Sequence, residues 1–586
     1  MPTPSTAPSD VGHGSAISHG VRHRAPIAVA VAALASAAMV VGASAAPGLG
    51  LTEVAAQPRT AGVAAPNVIS PEWVEFVQAQ GSWVLEDPSA DGVIKYYGYL
   101  ADGNPLVPTT TLTPPAEAQK TEPDKNTYLV LKGQHGPDTS YAYGRHFLYQ
   151  GHEVGPRGYI TRINLDADPA HRVTLLASTQ AAGNLAAGTN LPTFDGSAWD
   201  PFTKSLLFSA EGNGTSSGGI WEATPDFPST VVDRLGMFGR GGYEGIQFDD
   251  DGNVWLVEDI GGKTGTAAGD TNNAKQPNSF VYRFIPYVRD DLAGGGRLQV
   301  LQADGRNGVP VTFSGDPVTG VPTQPQIDAD ITSAFMKDLH TYGNEFSTRW
   351  ITIHDTKVDG TATFNANLLA KTKGGTPFKR PENGQFRPGT KFRDFVFTET
   401  GDTNATSGAN AQYGGWGGLL RLVQADPSAS TGTLKPFYLG DEAHTGLDNL
   451  TFLDDDALIA VEDAGDTLHG QRNALDSGYI LRFSSKGGPP SPFRFLGEGR
   501  DAAATIDAAN GGFALPGPPS VARNDGDNEI TGIHLSDGDP TSKGLIGTQA
   551  PRFLDGDGKG HGGEWRLFWT QQHGDNVTYE IVPAPH

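Results

Sequence analysis

Carboxylates recur in this chain at the ends of short apolar runs, a pattern suited to an oxygen-lined cation site. Residues 243–259 read Tyr-Glu-Gly-Ile-Gln-Phe-Asp-Asp-Asp-Gly-Asn-Val-Trp-Leu-Val-Glu-Asp. An alternating apolar segment enters an acidic turn, and a second apolar run delivers Glu258 and Asp259. The same arrangement returns at residues 447–463, which end in Glu462 and Asp463. Looser copies cover residues 194–211 and 381–399, ending in Glu211 and Glu399. Acids delivered from separate repeats can build the cage of about 6 to 8 oxygens that calcium takes. Metal ions held this way could neutralise a phosphoryl group and help generate a nucleophile from water.

These repeats set the architecture. Apolar alternation of period two, punctuated by Asp, Asn and Gly, predicts strand, turn, strand. Units of about 40 residues with several strands each are the size of one propeller blade. The 77 glycines and 42 prolines agree with many short strands and tight turns. The expected fold is an all-β propeller of six blades, with five or seven as alternatives and loop insertions near residues 304–330 and 502–524.

In a propeller the inner strands line a central channel, so equivalent strand ends converge on one mouth. The candidates there are His152, Glu153, Glu211, Glu244, Glu258, Asp259, Glu382, Glu399, Asp448, Asn449, Glu462, Asp463, Glu529 and His573. A lone acid after a strand is ordinarily a turn former or solvated cap. Acids repeated at one blade position point to metal ligation instead.

The formal charge of -24 argues against nucleic acid or an anionic membrane as the main partner, because both would be repelled. Cysteine is absent, which excludes disulfides, thiolate ligands and a cysteine nucleophile. No His-Glu-x-x-His or P-loop motif occurs. Residues 1–45 combine Arg22 and Arg24, an apolar run over 27–41 and Ala43-Ser44-Ala45, the pattern of an export signal cleaved after Ala45. Residues 46–125 are expected to be a lead-in and connector, and 126–586 the propeller. The mature chain is expected to be secreted, monomeric and without stable membrane insertion.

Several motifs in fixed order carry a resemblance: Lys-Thr-Glu-Pro-Asp-Lys-Asn-Thr-Tyr-Leu-Val-Leu (120–131), Phe-Leu-Tyr-Gln-Gly-His-Glu (147–153) and Arg-Val-Thr-Leu-Leu-Ala (172–177). They continue through Gly-Gly-Tyr-Glu-Gly-Ile-Gln (241–247), Lys-Arg-Pro-Glu (379–382), Leu-Asp-Asn-Leu-Thr (447–451), Glu-Ile-Thr-Gly (529–532) and Gln-Gln-His-Gly-Asp-Asn (571–576). In this order they resemble the PhoX-type alkaline phosphatases, secreted bacterial β-propellers, from Lys120 to about Thr578.

The resemblance implies a phosphomonoesterase with calcium and iron in a carboxylate-rich cluster and a small phosphate ester as substrate. It makes Arg380 the phosphate clamp, Glu382 a metal ligand or its support, and Glu153 the counterpart of an acid in the family's Cys-Glu-Glu motif. Here that motif reads Gly151-His152-Glu153. His152 could replace the missing thiolate by a nitrogen ligand, since imidazole suits iron. Otherwise the iron is lost and a calcium-only site is left. The alternatives are therefore a calcium-stabilised scaffold without turnover, or a phytase-like or lactonase-like propeller hydrolase.

Overall fold

Runs of four to ten residues with buried apolar side chains form antiparallel sheets throughout the chain. The computed structural model of the protein describes residues 49–59, 66–100, 120–499 and 529–585. Within these, residues 156, 213, 215–216, 267, 485–487, 555–559, 561 and 573–575 are left undescribed. The chain divides into two units, 1–43 and 44–586, and all the described residues lie in the second. The export signal, the insertion at 502–524 and His573 lie outside the described residues. No helix among the described residues is long and apolar enough to cross a membrane.

Two N-terminal strands, β1 (Val68–Ile69) and β2 (Trp73–Ala79), precede the blades. Blade one is β3 (Pro123–Val130), β4 (His146–His152), β5 (Ile160–Asn164) and β6 (Val173–Ala177). Blade two is β7 (Ser197–Asp200), β8 (Ser205–Ala210), β9 (Gly219–Ala223) and β10 (Val231–Asp233). Blade three is β11 (Tyr243–Phe248), β12 (Val254–Glu258), β13 (Val281–Pro286) and β14 (Gly296–Ala303). An additional outer strand, β15 (Phe346–Asp355), pairs with both blade three and blade four.

Blade four is β16 (Gly384–Phe386), β17 (Asp394–Glu399), β18 (Gly418–Gln424) and β19 (Thr431–Leu439). Blade five is β20 (Leu447–Phe452), β21 (Ala457–Glu462), β22 (Ser477–Arg482) and β23 (Phe493–Gly497). Blade six is β24 (Glu529–Ser536), β25 (Arg566–Gln572) and β26 (Val577–Pro583), completed by β2. The first strands pack in cyclic order, β3, β7, β11, β16, β20, β24 and back to β3, so they are the inner wall of a six-bladed propeller.

Six apolar cores fill the six gaps between neighbouring blades. Between blades three and four, for example, Trp255, Val257 and Leu301 meet Phe386, Phe395 and Leu420. Equivalent clusters join the other pairs, including Phe568 of blade six against Leu148 and Ile163 of blade one. Each strand's outward alternation thus serves two faces, and every inner strand is buried on both.

Residues 66–79 do more than lead in. β2 pairs antiparallel with β26, from Trp73 opposite Pro583, and β1 pairs with β23. Both cover outer edges that would otherwise expose unpaired backbone groups. The segment 304–330 ends in a helix, Gln324–Ile331, whose Ile327 and Ile331 pack on Ala274 and Ala409. A chain beginning at residue 81 lacks β1 and β2. Calorimetry of that truncation is expected to show a lower and broader unfolding transition, and an unchanged transition would mean the N-terminal strands contribute nothing to closure.

Candidate metal centre

Five of the six inner strands approach the channel with an acid four residues before a large apolar side chain. The pairs are Asp124 and Tyr128, Asp195 and Trp199, Glu244 and Phe248, Glu382 and Phe386, and Asp448 and Phe452. In blade six the same spacing holds Thr531 and Leu535. The aromatic residue anchors in an interblade core or beside it. The acid falls where the ladder is irregular: register shifts follow Pro123, Tyr243 and Leu447, directly before Asp124, Glu244 and Asp448. A bulge inserts an unpaired residue and re-aims its side chain. Here it turns the acids toward the channel.

A second set of acids follows the neighbouring strands. Glu153 comes after β4, Glu211 after β8, Asp259 after β12 and Asp463 after β21. The backbone N–H of Glu153 donates to the Glu122 carbonyl at 2.8 Å, and that of Asp259 to the Gly242 carbonyl at 2.7 Å. The two sets interleave. Asp124, Glu153 and Asp195 bring ligand oxygens within 4.8 Å of one another; so do Asp195, Glu211 and Glu244, and likewise Glu244, Asp259 and Glu382. These triads share Asp195 and Glu244, forming a continuous arc over blades one to four.

Burial, followed by the fields of neighbouring acids, pushes the Asp195, Glu211, Glu244 and Asp448 carboxyls well above their ordinary range. Burial and Asp259 raise Glu382 to about 7. Two cations oppose this charge. Burial works against the Arg380 guanidinium, yet Asp259 and Glu382 keep its proton bound well beyond the usual arginine range. Its Nε donates to both Asp259 oxygens at 3.1 and 2.9 Å, and its Nη2 lies 2.8 Å from Asp259 and 3.2 Å from Glu382. Thr400 donates its hydroxyl to Glu382. Lys125, the other cation, is pulled down to about 8 by burial while Asp124 and Asp448 act in the opposite sense.

The arc suits a hard cation. Its donors are all carboxylate oxygens, they are shared between adjacent triads, and beside it Asp448 Oδ1 is buried without a hydrogen-bond partner.

The remaining candidates are placed differently. Side chains alternate across a strand, so a residue directly before a mouth acid points the other way. His152 is fully buried, with Nδ1 3.2 Å from the Thr121 hydroxyl and Nε2 3.0 Å from that of Thr161, and its ring stacks on Tyr159. It does not join the acids, contrary to the expectation of a nitrogen ligand. Glu258 accepts from the Tyr282 hydroxyl at 2.8 Å and the Asn367 amide at 3.0 Å. Glu462 is engaged by Arg472 at 3.1 Å, and Glu399 by His340 at 3.0 Å. These three are engaged by neighbouring side chains and belong to none of the three triads. Glu529 begins β24 opposite Gln572 and belongs to no triad. Asp463 acts electrostatically on Asp124, Arg380 and Asp448. Asp448 lies in the inner ring but outside the three triads.

The arc also contains two residues not among the expected ligands, Asp124 and Asp195. Their signal is the acid-x-x-x-aromatic spacing, which matches Glu244, Glu382 and Asp448.

The fold and its mouth define a β-propeller with a cluster of carboxylates that could hold a metal ion. Residues 269–512 match the family model for alkaline phosphatase PhoX. Among solved structures the chain is similar to Pseudomonas fluorescens PhoX in complex with vanadate, a transition state analogue. That match has 12% identity over 90% of this chain and 97% of that chain, with a TM-score of 0.51, which supports a shared fold. A GH62 hydrolase in complex with xylotriose matches at 11% identity over 57% of this chain and 96% of that chain, with a TM-score of 0.17. No curated protein matches the sequence. The resemblance read from the motifs is thus upheld: part of the chain matches the PhoX model, and the fold is similar to that of a PhoX structure.

The raised carboxyls fix the sign of a pH effect. Asp and Glu ordinarily titrate at 3.8 and 4.5, and here they hold protons to higher pH when folded. Stability of the metal-free protein is therefore present at low pH and lost as pH rises through about 7, where Glu382 titrates, and beyond. Thermal melts of chelator-treated protein are expected to show a Tm that falls between about pH 5 and 8 and recovers on adding calcium. A Tm that rises over that range would contradict this assignment.

Proposed function

We propose that this chain is an exported, metal-dependent phosphomonoesterase acting at the channel mouth. The observation that carries this reading is the continuous arc of three carboxylate triads with Arg380 lying across Asp259 and Glu382. Asp124, Glu153, Asp195, Glu211, Glu244, Asp259 and Glu382 would hold the ions. Bound cations would withdraw charge from the phosphoryl oxygens and raise the acidity of water at the site. The oxygen-only donor set favours calcium. Iron, expected from the family resemblance, would have to be held here without cysteine and without His152.

The rest of the chemistry falls to the chain's own groups. Arg380 offers a planar donor fork suited to phosphate, and its contacts with Asp259 and Glu382 keep that fork at the mouth. On substrate binding, phosphoryl oxygens would compete with Asp259 for this fork. Thr400 fixes one oxygen of Glu382 and leaves the other side of the carboxylate for the cluster. The buried walls limit water and strengthen these interactions.

A metal-stabilised scaffold without turnover is the second reading, and the closed ion pair between Arg380 and Asp259 favours it. Assays of calcium-loaded protein on an aryl phosphate monoester separate the two. Turnover that Arg380→Ala lowers by ~100-fold or more in kcat/KM, with calcium binding retained, is the outcome expected of the phosphatase. Absence of turnover in a protein that loses Tm on chelation would establish the scaffold. Turnover of lactones or carboxyl esters indifferent to Arg380→Ala would point to another hydrolase.

A further inference from the structure

The residue after each of these inner-strand positions, the five acids and Thr531, is nearly always small or an amide: Gly196, Gly245, Asn383, Asn449 and Gly532. Blade one alone carries a charge there, Lys125. Close packing accounts for the glycines. A Cβ on Gly196 would lie 2.3 Å from the Glu244 carbonyl oxygen, and one on Gly245 would lie 2.9 Å from Asn383 Cα. Gly532, in turn, packs against Lys125, where a Cβ would lie 3.3 Å from its Cα.

Lys125 uses the channel itself. Its Nζ donates to Asn383 Oδ1 at 2.5 Å, and Asn383 belongs to blade four, opposite blade one in the ring. A chain of hydrogen bonds continues from there. Asn383 Nδ2 donates to Asn449 Oδ1 at 3.2 Å, and Asn449 Nδ2 donates to Thr531 at 3.2 Å and to Asp448 at 2.8 Å. The Thr531 hydroxyl closes the circuit on Asp124 at 2.5 Å. Lys125 also borders a cavity of about 80 Å³ lined by Ser197, Gln247, Gln385 and His534. The carboxylates acting on its charge are Asp124, Asp448, Asp195 and Glu244.

We propose that Lys125 is a resident cation that forms the floor of the metal centre and takes the place of a metal ion on its Asp448 side. This rests on the reading of the acid arc as a cation site. Among the described residues, the inner ring has carboxylates on five blades, yet the three carboxylate triads span only blades one to four. The ammonium, held by Asn383, supplies the positive charge that Asp448 would otherwise draw from a bound ion. Lys125 therefore positions the cluster and sets how many divalent ions it accepts, without itself touching substrate.

Native mass spectrometry of protein stripped with chelator and reloaded with calcium tests this directly. Lys125→Met is expected to bind one more calcium than wild type, because the lost ammonium sits at the head of the hydrogen-bond chain that runs through Asn383 and Asn449 to Asp448. An unchanged count in a folded Lys125→Met protein would overturn the proposal. Asp448→Asn provides an independent check should the first variant not fold. Its calcium count is expected to equal that of wild type, and a count lower by one would make Asp448 a ligand and overturn the proposal. Wild-type protein that takes up no calcium would instead overturn the metal reading on which it rests.

Discussion

Mutual repulsion among buried carboxylates is the constraint around which this molecule is built. Seven acids from four blades share three overlapping triads, and burial makes each charge costly. Arg380 and Lys125 oppose them from two sides, one across the mouth and one through the floor. A flexible chain would relieve such crowding by moving apart. Here the acids are fixed by backbone bulges on inner strands, and those strands are clamped by an apolar core in every gap between blades. Closure by β2 completes the ring. The energy of burying apolar surface thus maintains an arrangement that electrostatics alone would disperse.

Much of the propeller was legible because its strands obey a period-two pattern and its turns are marked by Asp, Asn and Gly. The six blades expected from the strand pattern agree with the six observed. The role of residues 66–79 was hidden, since β2 pairs with residues about 500 positions away and its own composition says nothing about that partner. The fourth strand of the last blade comes from the opposite end of the chain.

The site was legible by residue type and less so by orientation. Glu258 and Asp259 are consecutive, as are Glu462 and Asp463, and His152 and Glu153. Sequence places each pair at a strand end, whereas the pleat decides which member faces the channel. Glu153 and Asp259 join the triads, whereas the first member of each pair is tied to neighbouring side chains. Asp124 and Asp195 were obscured for a different reason. They open inner strands whose later residues depart from the most regular repeats, so only the spacing to Tyr128 and Trp199 reveals them.

The absence of cysteine and the burial of His152 leave an arc made of oxygen donors, and this shapes the expected chemistry more than the fold does. The most direct test is anomalous X-ray scattering from crystals of the protein loaded with calcium. Density peaks are expected along the arc from Asp124 to Glu382, with none beside His152, Glu258 or Glu462. A channel mouth without peaks, or calcium bound at those interior residues, would contradict the account.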